Sequence, residues 1–266
     1  MSASIRVGST SSSNNSTSDA TGTLQEALFW NNEGVKHLAG ASARGGGNQQ
    51  AMKCFYRTVH SVIRLSELTD VGNGDSVPFS QQVVFKQVHI ASMPKLHDQC
   101  FYTFNHAFTI EHVHTGAIVD HYSVSLISTV ALFNLALAFH LTGMLSNNKS
   151  KLFQAQHFYR LCMDVMGGGG GGQVENYNAM AVVGGLALNN QAQIAWHMFG
   201  ACQTPQNHIH QLMDALKAKR DLLLHAANSQ QRMDQCGAIV LDLAIVGEIL
   251  FNLAILSTFS KLAGAA

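Results

Sequence analysis

Histidine is the residue in this chain most able to do chemistry, with 14 copies in 266 positions. The densest patch is HAFTIEHVHTGAIVDHY, which holds His106, Glu111, His112, His114, Asp120 and His121. Two histidines one residue apart on a strand turn both imidazoles to one face, which suits zinc or another transition metal. A metal centre would need His106, His112, His114 and His121 to converge. The alternative is a polar loop after a strand, with hydrogen-bonded imidazoles. His208 and His210 repeat the spacing at the start of a predicted helix, where positions two apart diverge.

Other reactive residues are too dispersed to form a motif. The five cysteines, Cys54, Cys100, Cys162, Cys202 and Cys236, come no closer in sequence than the last two. That excludes the paired spacings of zinc and redox sites. Cys54 and Cys162 fall on apolar helix faces, as buried, reduced thiols do. The six-glycine run at 167–172 is followed by Gln173-Val174-Glu175. A phosphate-binding loop needs Lys-Ser/Thr there, at a helix start. No nucleophile elbow occurs in the serine-rich N-terminal stretch. The sequence calls for no cofactor and carries no catalytic residue set.

Composition narrows the partners. Lys+Arg and Asp+Glu are 16 each, and charged residues make up 12% of the chain, about half the usual share. Nucleic acid is excluded as the main partner, because phosphate binding needs clustered Lys and Arg. Residues 122–141 and 238–256 approach the length of a membrane span. The first is broken by Ser, Thr, Asn and His, and the second by Asp242 and Glu248, each costing roughly 2.5–3.5 kcal/mol near mid-bilayer. Burial in a helical stack is the better reading, so no span is expected. Low charge and apolar ends leave a homo-oligomer open. Residues 1–23 lack the apolar core of a secretory signal and read as a disordered Ser/Thr-rich tail in a cytoplasmic protein. An organelle transit peptide is the second reading.

The rest, 24–266, reads as one helical domain. Residues 122–166 organise it: an almost continuously apolar helix, a polar connection GMLSNNKS, and an amphipathic helix with Leu152, Ala155, Phe158, Tyr159 and Cys162 at steps of three and four. Similar pairs lie at 24–68 and 179–225. Between the first two, about residues 79–120, the pattern changes. VVFKQVHI is rich in β-branched residues, and FYTFNHAFTI alternates with Tyr102, Phe104, His106, Phe108 and Ile110 on one face. Period two predicts a strand, and the pair predicts a small β-hairpin. The ending FNLAIL, 251–256, fits a helix or a strand paired with FYTFNHAF.

Leu132, Ala136, Phe139 and Gly143, followed by Ala155 and Tyr159, resemble the large, small, aromatic and glycine positions of a tetratricopeptide (TPR) repeat. Trp30, Gly34, Ala51 and Phe55 resemble the same positions, and Leu188, Ala192 and Gly200 lie near them. His37 and Thr58 depart from the pattern, Gln191 weakens the third pair, and the spacing implies enlarged hairpin turns. The chain is similar in layout to the TPR-like proteins that diatom genomes encode in number. The resemblance implies a mainly α, TPR-like stack of about three antiparallel helical hairpins carrying a β-hairpin insertion.

In such a stack the first helix of each pair lines a concave groove. Asn31, Asn32, Asn134, Asn189, Asn190 and Gln193 lie on those helices. Their amides either hold the backbone of an extended peptide or bond between helices and fix packing. The function implied is a non-enzymatic adaptor or scaffold that binds a protein or peptide segment in the groove. The rivals are a metal-binding protein or metal-dependent enzyme built on His106, His112, His114 and His121, and a structural homo-oligomer.

Overall fold

A computed structural model describes residues 13–40, 46–70, 83–90, 103–112, 121–167 and 177–203, together with 214, 247, 249–252 and 254. They form five long helices and one hairpin: α1 (Ser13–Gly40), α2 (Gly47–Asp70), β1 (Val83–His89), β2 (His106–His112), α3 (His121–Ser146), α4 (Lys149–Gly167) and α5 (Tyr177–Gln203). The described residues are mostly helical with a two-stranded antiparallel sheet. Each helix packs on the next, α1 on α2, α2 on α3, α3 on α4 and α4 on α5, and α3 also touches α5.

Helix α3 is the centre of the core because it is apolar all round. From Val130 to Leu141 every residue is buried, and no helix with that surface can face water. Among the described residues it is the one helix long and apolar enough to cross a membrane, and 89% of its apolar window is covered by other parts of the chain. Helix α4 is amphipathic and buries Leu152, Ala155, Tyr159 and Cys162 against it.

Asparagines set the turn between these two helices. Asn147 takes φ 49°, a left-handed conformation that asparagine tolerates better than most side chains. Its N–H reaches Met144 O, and Asn148 N–H reaches Gly143 O at 2.8 Å, closing α3 with the paired bonds of a Schellman end. Asn148 then caps α4, its Oδ1 accepting from Lys151 N–H at 3.2 Å. The connection is therefore only Asn147 and Asn148. An enlarged turn was expected from the spacing of Ala136 and Ala155, and the extra residues instead lengthen the two helices. Gly143, the first residue of the expected connection, is not part of the turn. It lies inside α3, where a Cβ would come within 2.6 Å of Leu152. Gly34 plays the same part between α1 and α2, where a Cβ would come within 2.5 Å of the buried Phe55 ring.

The N-terminal boundary also moves. Helix α1 starts at Ser13, inside the segment 1–23 expected to be a tail. Residues 1–12 lie outside the described residues. Once a buried face running from Thr23 to Leu38 fixes the helix, adding turns costs little. Thr23 is itself buried and donates to Asp19 O at 2.8 Å, so a polar residue serves the helix interior. The glycine run beyond Gly167, Pro205, and residues 207–225 apart from Asp214 also lie outside the described residues. The described part of FNLAIL, Phe251, Asn252 and Ala254, is helical. It therefore does not pair with β2, whose partner is β1.

The hairpin runs in the register Val83 with His112 through His89 with His106. Beyond its end, Ile90 N–H reaches Asn105 O at 2.9 Å and Asn105 Nδ2 returns to Ile90 O, so the pairing continues without further strand. Phe85, Phe104, Phe108 and Ile110 are buried, while Lys86 and Glu111 pair in solvent at 2.7 Å, a contact worth little to stability.

Candidate partner groove

Asparagine carboxamides hold an extended segment of the chain by taking the place of a neighbouring strand. Successive residues of a strand turn their backbone groups to opposite edges. On β2 and the extended residues before it, Phe104, Phe108 and Ile110 turn theirs away from β1 and towards the helices. Each meets one asparagine that bonds it twice. On α1, Asn32 Oδ1 accepts from Ile110 N–H at 2.9 Å and Asn32 Nδ2 donates to Ile110 O at 2.8 Å. On α3, Asn134 does the same to Phe108, at 2.9 and 2.8 Å. On α5, Asn190 does it to Phe104, at 2.9 and 3.0 Å. The segment thus crosses three helices, from α5 at Phe104 to α1 at Ile110.

The amides also brace one another. Asn31 Nδ2 donates to Phe108 O at 2.9 Å, and Asn31 Oδ1 accepts from Asn134 Nδ2 at 2.9 Å. Asn189 bridges Asn190 at 3.3 Å and Asn252 at 2.6 Å. Asn31, Asn134, Asn189, Asn190 and Asn252 are all 0% exposed. In so dry a setting an unmatched amide or backbone group costs about 1–3 kcal/mol, which is why these carboxamides bond on both sides. The amides bond between helices and also to a backbone segment. The backbone held is the chain's own.

The rings seat the segment. Phe133, one residue before Asn134, lies edge-on to Phe104 and Phe108 at centroid distances of 5.9 and 5.5 Å, and Phe104 stacks on Phe108 at 5.9 Å. Phe133 also meets Tyr159 of α4 at 5.6 Å. Every buried polar side chain among the described residues is Thr, Ser, Asn, Gln or His, so the groove carries no buried charge.

Behind Asn190 runs a second set of bonds. Asn190 Nδ2 donates to Tyr159 Oη at 2.9 Å. The phenol proton is then left to point at His140 Nδ1, 3.4 Å away, and His140 donates from Nε2 to Gln193 Oε1. Burial pushes the His140 imidazole down to about 4, against the opposing bond to Gln193 and with a smaller contribution from His197, so the ring is neutral. Burial likewise pushes the Tyr159 phenol and the Cys162 thiol well up. Gln193, expected at the partner's backbone, is instead the anchor of His140.

The histidine patch is not gathered into a centre among the described residues, which hold no cluster of three or more His, Cys, Asp or Glu side chains. His106 lies beside His89 across the hairpin, Nε2 to Nδ1 at 3.3 Å, with rings 4.7 Å apart. His114 lies outside the described residues, as do the side chains of His112 and His121.

Asn252 was outside the expected set, yet the sequence held the signal for it. Trp30-x-Asn32-x-Gly34, Leu132-x-Asn134-x-Ala136, Leu188-x-Asn190-x-Ala192 and Leu250-x-Asn252-x-Ala254 are one pattern four times over. Compared with known proteins, the chain matches no protein-family model, no curated protein and no solved structure.

Proposed function

We propose that this chain is a TPR-like, non-enzymatic adaptor whose groove holds an extended segment of a protein partner by its main chain. One observation carries the reading: Asn32, Asn134 and Asn190, on three different helices, each bond both the N–H and the C=O of one residue in an extended segment. Two carboxamide bonds to one residue reproduce what a neighbouring strand supplies, so the lining recognises a strand whatever its side chains. The four-fold Trp/Leu-x-Asn-x-Gly/Ala pattern supports repeated hairpins that put one asparagine per unit on the same line. The buried His140, Tyr159 and Cys162 bond to Gln193, Asn190 and Thr129 O, which supports a structural part for them.

The test is site-specific photo-cross-linking of the full chain in its own cells, with the reactive group at Glu33 on α1, beside Asn32, or at Phe153 on α4. An adaptor of this kind gives one protein partner, cross-linked from Glu33 and not from Phe153. Cross-links from Phe153 alone, or from neither position, would refute it.

A further inference from the structure

Resting on that adaptor reading, we infer that residues 103–112 are an intrachain stand-in for the partner. The partner is then an extended segment with large apolar, uncharged side chains at the places of Phe104, Phe108 and Ile110, and it takes the seat by displacing them.

Three observations converge on this. The helices contact one another in an unbroken series from α1 to α5, so the framework does not depend on the segment for its continuity. The asparagines bind main chain, so any extended chain satisfies them equally, and selection must come from the side chains. Those side chains enter an aromatic seat around Phe133, where Phe104 and Phe108 are 0% exposed and Ile110 1%. A charge or phosphate at any of those three places would be buried among carboxamides and rings with no counter-ion, so it is excluded there. The resident sequence is therefore a template: aromatic, three residues, aromatic, one residue, aliphatic.

The experiment weakens the resident segment and supplies it in trans. Full-length chain carrying Phe104→Ala and Phe108→Ala is titrated with the synthetic peptide TFNHAFTIEH, the sequence of residues 103–112. A second peptide has serine at both phenylalanine places. The first peptide should raise the melting temperature of the variant, and should bind it at least about tenfold more tightly than wild type, whose seat is filled. If the variant is unfolded alone, recovery of helical circular dichroism on adding peptide is the supporting result, and no recovery overturns the inference. The milder Ile110→Ala chain, titrated alike, keeps a folded control.

The failures separate. A folded Ile110→Ala or double variant that binds neither peptide removes the groove as a peptide site, and the adaptor reading with it. Equal binding of the serine peptide, or equal affinity for wild type and variant, leaves the adaptor reading standing and overturns only this inference.

Discussion

Asn134→Ala and Asn31→Ala remove the same carboxamide from two residues that are equally buried, yet the bonds predict different outcomes. Among the described residues Asn134 is the sole partner of Phe108 N–H, at 2.9 Å, and it also donates to Asn31 Oδ1 and Phe108 O. Removing it strands Phe108 N–H and Asn31 Oδ1, while Phe108 O keeps its bond from Asn31. Removing Asn31 leaves Phe108 N–H and O both held by Asn134 and strands one hydrogen of Asn134 Nδ2. At about 1–3 kcal/mol for each buried polar group left unmatched, Asn134→Ala should cost about 4 kcal/mol and Asn31→Ala about 2. Urea titration measures both. Amide hydrogen exchange then localises the effect: Phe108 N–H should exchange faster than its α3 surroundings in Asn134→Ala and stay with them in Asn31→Ala. Equal costs, or a Phe108 amide that exchanges alike in both variants, would refute the backbone clamp and reduce the asparagines to packing between helices.

Three further perturbations test other parts of the fold. His140 has a folded value of about 4 against an unfolded 6.5, so the unfolded chain binds more protons in between. Its contribution of roughly 3 kcal/mol is fully present above pH 6.5 and lost as pH falls towards 4, and a His140→Gln chain should show a flatter stability profile over that window. Gly22→Ala should stabilise by about 0.5–1 kcal/mol because nothing lies within 4 Å of the new Cβ in a helix, whereas Gly34→Ala meets the Phe55 ring and should cost about 1–3 kcal/mol, as thermal melts would report. The Cys162 thiol, buried and held protonated, should resist alkylation in native protein and react at the rate of unfolding, with peptide mass mapping as the readout.

Much of the fold was legible because hydrophobic period reports directly on burial. The all-apolar α3, the amphipathic α4 and the alternating FYTFNHAFTI were each readable from which side chains must avoid water. What period cannot report is the backbone. An extended segment with one buried face needs partners along both edges. The identity of the partner on the far edge depends on where three helices, remote in sequence, bring their asparagines. The error at the start of α1 has a related cause. Composition marked residues 13–23 as tail, but Thr23 satisfies its hydroxyl on the backbone of its own helix, which composition cannot register. The asparagine pattern was visible as a repeat, yet asparagine is so common in caps and turns that its type alone does not mark a clamp. Asn147 and Asn148 show the point, since they do end one helix and start the next.

The position of the small residue in that pattern sets how closely each asparagine is aimed. Gly34, Ala136, Ala192 and Ala254 each follow their asparagine by two positions, which places them on another side of the helix. At Gly34 that side is pressed so closely on α2 that a Cβ would overlap Phe55. A close contact behind the helix fixes its distance and rotation, and so fixes the asparagine in front to within the few tenths of an ångström that a paired amide bond allows. The aromatic at Tyr159 serves the third unit likewise, bracing Asn190 through its hydroxyl while its own position is set by Phe133 and His140. Substitutions behind the groove, at Gly34 or Tyr159, should therefore loosen the seat without touching the segment in it, and the carboxamides are only as exact as the packing that aims them.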